Sequence, residues 1–510
     1  MSISPSPVWR APDGPTFPAL AKSLSVDVCV VGGGIAGISA AYFLKRAGKK
    51  VCLLERDHLG SGDTGRTTAH LTCVTDVRLT ELVKAFGRES ATLVWRAGTT
   101  AVNAIERIVA EHDIACEFRR VPGFLHAALY GRDDETESLR EEAELARQLG
   151  FDAEFVAEAP IVNKPGMRIS DQAKFRPLEY ASTLAHFIDG DGSFVHEHSE
   201  VSEVEDKPLE VVANGCKVSC QDIVMATEIP LMGKTGLLRA SLLQTKLAGY
   251  SSYVVSGLLP SGTLPEISLW DTSDPYYYLR VDREPDRDRV IFGGNDHKTG
   301  QVNDTEDCYC RLEKTLSEIL PKVEIDHRWS GQVIETNDGL PLIGEESPHQ
   351  FVATGFNGNG MTFATVAAMV IRDAILKKDN PWQELFSVDR KKIRGGTWDY
   401  IKENIDFPYY FVADRLKVAK SPNADDVEIG QGKVLKIDGV NVACAREATG
   451  RLHRVSAVCT HLGCLVNWND AEQTWDCPCH GSRFKASGQV LAGPAESPLE
   501  PVPWPRKTTE

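Results

Sequence analysis

No stretch of this chain comes near the 18 or more consecutive apolar residues that a membrane-spanning helix needs. The opening residues, MSISPSPVWRAPDG, hold neither an apolar core nor a small-residue cleavage pattern, so no secretory signal is read there and the cytoplasm is the expected location. Positive charge is in deficit: 56 Lys and Arg against 72 Asp and Glu leave a formal net charge of −16. That balance argues against nucleic acid or an anionic membrane surface as a general partner, since both are polyanions. It would suit a basic docking protein, although solubility alone accounts for it. A regular cysteine framework is also missing. Nine of the thirteen cysteines (Cys29, Cys52, Cys73, Cys116, Cys216, Cys220, Cys308, Cys310 and Cys444) are scattered, which fits reduced thiols better than a secreted, disulfide-braced fold. The other four lie between Cys459 and Cys479, the most informative clustering in the composition.

The chain has 510 residues, room for two to four domains at roughly 100–200 residues each. Residues 26–31 read as a buried strand, followed at once by Gly32-Gly33-Gly34-Ile35-Ala36-Gly37. Ile38 to Ala47 is helix-like with Gly48 as its stop, and Val51 to Leu54 is a second strand ending at Glu55. This is a β-α-β unit with a G-x-G-x-x-G turn and an acid 23 residues after the first glycine. Gly32 permits the tight turn, Gly34 lets backbone approach a pyrophosphate, and Gly37 lets helix and strand pack closely. The helix N-terminus offers free N–H groups to phosphate, and Glu55 would take a ribose hydroxyl. The fingerprint leaves NAD and FAD open.

Two later segments carry a resemblance. Gly60-Ser61-Gly62-Asp63-Thr64-Gly65-Arg66-Thr67-Thr68-Ala69-His70 follows the second strand. Trp329-Ser330-Gly331, Thr336-Asn337-Asp338-Gly339 and Pro341-Leu342-Ile343-Gly344 lead to Thr354-Gly355-Phe356-Asn357-Gly358-Asn359-Gly360-Met361-Thr362, which opens an apolar helix. Residues 25–380 so resemble the D-amino acid oxidase-like (glycine oxidase/DadA-type) flavoproteins. The resemblance implies FAD. It places Gly32, Gly34, Ile35, Ala36, Gly37, Glu55 and Arg56 on the nucleotide, and Gly65, Arg66, Thr67 and Thr68 along the ribityl chain and ring. Val201, Gly331, Asp338, Gly355, Asn357, Gly358, Gly360, Met361 and Thr362 complete the implied cofactor contacts. Some relatives attach FAD through a His in the early segment. Arg66 stands at that place here, so the FAD is expected to be non-covalent, with His70 near the ring or simply packed.

Between these segments, Asp133 to Leu149 is expected to be a surface helix, with Leu139, Ala143, Ala146 and Leu149 at helical spacing. Val201 to Thr227 reads as alternating strands. The expected FAD part is 25–80, 166–235 and 326–380, with a substrate part at 81–165 and 236–325 and an extension at 1–24. Pro275 to Val281 reads as a strand that puts Tyr276, Tyr278 and Arg280 on one face, where a substrate carboxylate could be held. The family places substrate-binding Tyr and Arg on such a strand, which makes Arg280, Tyr278 and His70 the catalytic candidates. Gly293 to Lys298 is a candidate cover for the flavin, and His196-Glu197-His198 reads as solvated surface.

Near the C-terminus, Cys459-Thr460-His461-Leu462-Gly463-Cys464 is followed, after 12 residues, by Cys477-Pro478-Cys479-His480-Gly481-Ser482. Two Cys and two His would also serve zinc. Zinc leaves the extra cysteine in each loop unexplained, and the pattern closely resembles the two binding loops of Rieske [2Fe-2S] domains. By that resemblance Cys459 and Cys477 hold one iron and His461 and His480 the other, and Cys464 and Cys479 form a loop-to-loop disulfide. Ser482 would bond a cluster sulfur, and Gly493-Pro494-Ala495 would form the shielding third loop. Two neutral imidazoles in place of thiolates raise the potential to about −150 to +300 mV. Phe484 replaces the tyrosine of the highest-potential members, which points below the top of that range. The domain is expected over 406–510, starting near Pro408 after a charged stretch around Asp389–Asn404, with strands at Val434–Ile437 and Val440–Ala445 joined by an Asp438-Gly439 turn.

The resulting expectation is an α/β plus β protein: a Rossmann-like FAD domain, an inserted mixed-sheet substrate domain, and a small antiparallel Rieske domain. The expected reaction is dehydrogenation of a C–N bond in an amine or amino acid, with electrons leaving singly through the cluster to an external protein or quinone acceptor. Two other readings remain: a reductase or carrier component serving another enzyme, and a flavin enzyme with a redox-sensing cluster.

Overall fold

The computed structural model describes residues 3–10, 16–131, 134–230, 243, 246–302, 304–390 and 427–503. The chain divides into two compact units, Met1–Leu247 with Ser252–Asn295 and Leu312–Gly396, and Ala248–Ser251 with Asp296–Arg311 and Thr397–Glu510. The charged stretch after Arg390 and the start of the Rieske domain near Pro408 lie outside the described residues.

In the first unit, Val28–Val31 is buried on both faces because it runs parallel between Asp222–Met225 and Val51–Leu54. The full six-stranded order is Leu342–Ser347, Gln350–Thr354, Asp222–Met225, Val28–Val31, Val51–Leu54, Phe194–His196. The helix Ile35–Arg46 starts from the glycine turn, ends just before the left-handed Gly48 (φ +87°), and packs on Gly360–Ile375. A four-stranded ribbon, Leu24–Ser25, Cys216–Ser219, Leu209–Ala213 and Val201–Asp206, flanks this sheet and matches the strands expected over 201–227.

The substrate part is built on a nine-stranded mixed sheet. It takes in Gly166–Lys174, His70–Leu71 and most of Glu324–Thr336, segments that the sequence boundaries assigned to the FAD part. The helix expected from Asp133 runs over Thr136–Gln148 and buries Leu139, Ala143 and Ala146. The substrate strand begins at Tyr278 and ends at Arg283, leaving Tyr276 in the preceding loop.

The segment 3–10 and 16–25 is no loose extension. Ser4 pairs with His327, Leu20 N–H bonds Ser199 Oγ (2.8 Å), and Trp9 is almost fully buried. Glu197 departs from its solvated reading: it is buried because it accepts the amides of Phe17 (2.8 Å) and Leu59 (2.7 Å).

The second unit holds a three-stranded sheet, Gly432–Ile437, Val440–Arg446 and Leu452–Ser456, and a four-stranded one, Asn467–Asn469, Thr474–Asp476, Arg483–Lys485 and Val490–Ala492. The Asp438-Gly439 turn has φ of +49° and +83°, the left-handed pair that a tight hairpin demands.

Candidate functional site

The nucleotide end of the first unit is shaped by close backbone approach. A Cβ on Gly37 would lie 1.9 Å from the Gly32 carbonyl oxygen, and one on Gly32 (φ +108°) would lie 2.5 Å from the Ala226 oxygen. The helix at Ile35 carries no side-chain cap at Gly34, while Thr64 Oγ1 accepts the Ile35 amide (3.0 Å). Glu55 accepts the amides of Gly33 (2.6 Å) and Asp57 (2.8 Å), and burial raises its pKa. Each carboxylate oxygen keeps a second acceptor position for a ribose hydroxyl. Arg56 lies exposed beside Asp57.

The segment 63–70 is held from three sides. Asp63 accepts the Gln332 amide (2.7 Å), Arg66 donates to the Ser330 carbonyl (3.0 Å), and Trp329 donates to the Arg66 carbonyl (2.8 Å), with Gly331 packed against Asp63 and Arg66. Trp9 donates to the Thr67 carbonyl (2.6 Å), and its ring lies under the Arg280 guanidinium at 5.0 Å. Arg280 donates to the carbonyls of Thr68 (2.9 Å), Ala69 (2.8 Å) and Phe175 (3.1 Å) and to Asp282 (2.8 Å).

Four of the five N–H donors of Arg280 are thereby taken by protein acceptors, and the residue is buried. That leaves a single N–H for the substrate carboxylate that the sequence suggested. Arg280 is a positioning residue for the segment next to His70. The Arg280→Met variant is expected to lose about 3 kcal/mol of stability and to retain FAD poorly, because buried carbonyls lose their donors. Arg280→Lys should not restore either, since one ammonium cannot span the four acceptors. Thermal melts with and without added FAD check this; unchanged melting with weakened substrate binding would return Arg280 to a substrate role.

His70 and Tyr278 do come together, with ring centroids 6.2 Å apart and Trp270 6.4 Å from His70. His70 Nδ1 pairs with Ser268 Oγ (3.0 Å), and Nε2 is buried with no hydrogen-bond partner among the described residues. Burial, reinforced by the cations Arg280 and Lys174, pushes the His70 pKa down to about 3, so the ring is neutral at physiological pH. Tyr278 OH pairs with Ser252 Oγ (2.7 Å), and its ring lies where a Gly293 Cβ would be. Tyr277 and the Tyr276 carbonyl pack on Gly294 in the same way. The stretch proposed as a flavin cover is, at its start, the floor for these tyrosines.

Asp76 is a site residue that no motif announced. Its carboxylate accepts the Gly358 amide (2.7 Å), the Asn359 side-chain amide (3.1 Å) and Tyr276 OH (3.4 Å). Desolvation of this carboxylate raises its pKa, although the residue as a whole is exposed. Around it, Asn357 accepts the Thr336 amide (3.0 Å), Gly355 (φ +65°) fits against Thr336 where a Cβ would not, and Thr362 accepts the Thr72 amide (3.1 Å). Gly360 and Met361 open the apolar helix, uncapped by any side chain. These close turns and helix starts fit an anionic dinucleotide. Two expected contacts sit apart. Asp338 is gripped by Arg390 at two points, and Val201 pairs with Ala213 in the flanking ribbon.

In the second unit the two Cys-His loops are copies of one design. Cys459 N–H bonds the Cys464 carbonyl (2.8 Å) and Gly463 N–H bonds back to Cys459 (3.0 Å); Cys477 N–H bonds Ser482 (2.8 Å) and Gly481 N–H bonds back to Cys477 (3.0 Å). Gly463 and Gly481 have φ of +81° and +76°. Cys464 and Cys479 form the disulfide between the loops. It takes the two extra cysteines out of any ligand set and leaves Cys459, Cys477, His461 and His480. The two thiols lie within hydrogen-bonding range of each other, and the hydrogen bond from Cys477 draws the Cys459 pKa down to about 7. The two imidazoles stand edge to face at 4.9 Å, and burial lowers both to about 4, the neutral form that binds metal. Ser482, fully buried, bonds Cys459 and accepts the Ala495 amide (3.1 Å), which ties the third loop to the site. This donor set, two thiolates facing two imidazoles, fits a [2Fe-2S] cluster.

The comparisons with known proteins agree with both halves. The DAO family of FAD dependent oxidoreductases matches residues 27–374, and the Rieske [2Fe-2S] domain family matches residues 417–503. YhfW of Bacillus subtilis (strain 168), assigned as a Rieske 2Fe-2S iron-sulfur protein, is 32% identical over 507 residues, covering 98% of each chain. Gamma-glutamylputrescine oxidoreductase of Escherichia coli (strain K12) is 25% identical over 423 residues, 79% of this chain and 96% of that one. The crystal structure of glycine oxidase from Geobacillus kaustophilus superposes with a TM-score of 0.61 at 17% identity, over 72% of this chain and 99% of that one. The chain belongs to the DAO family of FAD-dependent oxidoreductases and carries a Rieske domain after it. Its cofactors are FAD and a [2Fe-2S] cluster.

Proposed function

We propose that this enzyme dehydrogenates a C–N bond of an amine or amino acid and passes the electrons singly, through the Rieske cluster, to an external protein or quinone. The supporting observation is that one chain holds both a dinucleotide cradle and a complete Cys-His ligand set. FAD supplies acceptance of an electron pair, and the cluster supplies release of one electron at a time. The substrate H–C–N–H unit loses two electrons and two protons to become C=N, which water hydrolyses to a carbonyl compound and an amine. The substrate class follows the names of the relatives above, an oxidoreductase of gamma-glutamylputrescine and an oxidase of glycine.

In this reading Cys459, Cys477, His461 and His480 hold the cluster, and the glycine turn with Glu55, Thr64 and the 65–68 segment holds a non-covalent FAD. Neutral His70 offers Nε2 at the reacting face, and Tyr278 and Tyr276 line it. Asp76 accepts the Tyr276 hydroxyl and the Gly358 amide beside it. No helix among the described residues is long and apolar enough to cross a membrane, and we assign the enzyme to the cytoplasm.

An anaerobic screen of amines and amino acids tests the proposal, with flavin absorbance and the cluster's spin resonance followed together. A substrate should bleach the flavin and bring up the reduced-cluster signal in the same reaction. Bleaching with a cluster that stays oxidised would overturn the relay and favour a sensing or structural cluster.

A further inference from the structure

Residues 296–311 fall inside the span matched by the oxidoreductase family, yet they cluster with the Rieske unit. Their anchoring begins at Thr299, which bonds the Gly249 carbonyl (2.9 Å) and Ser251 Oγ (3.0 Å). Gly300 then lies directly on a cluster loop. At φ +79° it is left-handed, and a Cβ there would sit 2.8 Å from Cys477 C, 2.8 Å from Pro478 N and 2.9 Å from Asp476 O, all of them backbone atoms that cannot swing aside. Its carbonyl accepts Asn467 Nδ2 (2.9 Å), three residues beyond the first cluster loop. The next residue, Gln301, donates Nε2–H to the Pro478 carbonyl (3.0 Å).

That last contact reaches a sulfur. The Pro478 carbonyl belongs to the same peptide unit as the Cys479 amide, and the Cys479 amide hydrogen-bonds the Cys477 sulfur. A donor on the carbonyl end polarises the peptide and strengthens the N–H···S bond at the other end. A second anchor is a buried polar network. Thr305 Oγ1 donates to Asn469 Oδ1 (2.8 Å) and accepts the Ala471 amide (3.1 Å). Asn469 Nδ2 donates to Asp476 (2.9 Å), the residue before Cys477, and Asp476 also receives Arg483 (3.2 Å).

We infer that Thr299, Gly300, Gln301 and Thr305 of the oxidoreductase chain are a built-in clasp that positions the Cys477 loop and, through Gln301, raises the reduction potential of the cluster. The reduced cluster carries one more electron, so any stronger hydrogen bond to its sulfurs favours reduction. The potential of this cluster is therefore set partly from outside the Rieske sequence. The inference rests on Cys477 being a cluster ligand, as proposed above, and is independent of which way electrons flow.

The test is a redox titration of the full-length holoenzyme, followed by spin resonance. Gln301→Leu should make reduction of the cluster about threefold less favourable, a shift of about −28 mV at 59 mV per tenfold for one electron, with altered g-values. Gly300→Val should displace the loop, broaden the signal further and lower iron content. Gln473→Leu is the control. Gln473 also donates a side-chain amide to backbone carbonyls of this unit, Gly430 and Asp470 (both 2.7 Å), but touches neither loop, so it should leave the potential unchanged. A Gln301→Leu protein with lowered melting temperature and wild-type potential and g-values would overturn the inference. A Cys477→Ser protein that kept its cluster would instead overturn the ligand assignment beneath it.

Discussion

The Cys459→Ser variant is expected to lose the cluster's spin-resonance signal and acid-labile sulfide, to bleach its flavin with substrate at the normal rate, and to deliver almost no electrons to the external acceptor. The reason lies in the donor set. Iron in this cluster needs soft thiolate sulfur on one side, and a serine hydroxyl stays protonated and hard. Cys459 lies beside Cys477 and Ser482 in a site closed by the Cys464–Cys479 disulfide, with no spare thiol to stand in. Cys444→Ser is the matching control. Cys444 is just as buried, but sits on the strand Val440–Arg446 opposite Lys433, outside both loops, and its loss should spare the cluster. Acceptor reduction at full rate by the Cys459→Ser protein would mean that electrons bypass the cluster, and the proposed route would fall.

Both cofactor sites were legible because each is written in short-range sequence. The glycine turn and Glu55 sit within one β-α-β unit, and each Cys-His loop closes on itself over six residues, from Cys459 to Cys464 and from Cys477 to Ser482. What joins those pieces is long-range and left no local pattern. Trp9 meets Thr67 across 58 positions, Arg280 meets Ala69 across 211, and Asp76 meets Gly358 across 282. Strand alternation correctly put Tyr278 and Arg280 on one strand, but alternation says nothing about what covers a face. Trp9 and the carbonyls of Thr68 and Ala69 lie against this one, so Arg280 also works as a clamp. Glu197 is the mirror case: a charged run looked solvated until two backbone amides, at Phe17 and Leu59, converged on its carboxylate. The substrate-sheet boundaries shifted for a related reason. Gly166–Lys174 is bound by its partners at 119–126 and 153–156, and pairing of that kind is invisible to composition.

Glycine content near the nucleotide makes the second large effect specific to one position. Gly37 and Gly62 both lie in glycine-rich segments and neither has a positive φ, yet they should answer substitution in opposite ways. A Cβ on Gly37 would stand 1.9 Å from the Gly32 carbonyl oxygen, which is backbone in a turn held by the Gly32 N–H bond to the Leu54 carbonyl (2.9 Å). The helix Ile35–Arg46 would have to lift off Val28–Val31 to make room, carrying its N-terminal amides away from the phosphate position. Overpacking a tight core costs about 1–3 kcal/mol, and more when backbone must move. At 1.4 kcal/mol per tenfold, about 3 kcal/mol weakens FAD binding about a hundredfold. Gly37→Val should therefore purify without bound flavin while keeping the cluster's absorption and spin-resonance signal, because the Rieske loops are a separate compact unit. A Cβ on Gly62 meets nothing within 4 Å, so Gly62→Ala should bind FAD as the parent does. Measured flavin content and apoprotein titration with FAD decide the matter. A Gly37→Val protein with parental flavin content and FAD affinity would show that the helix start does not hold the pyrophosphate, and the cradle would have to be sought elsewhere in the unit.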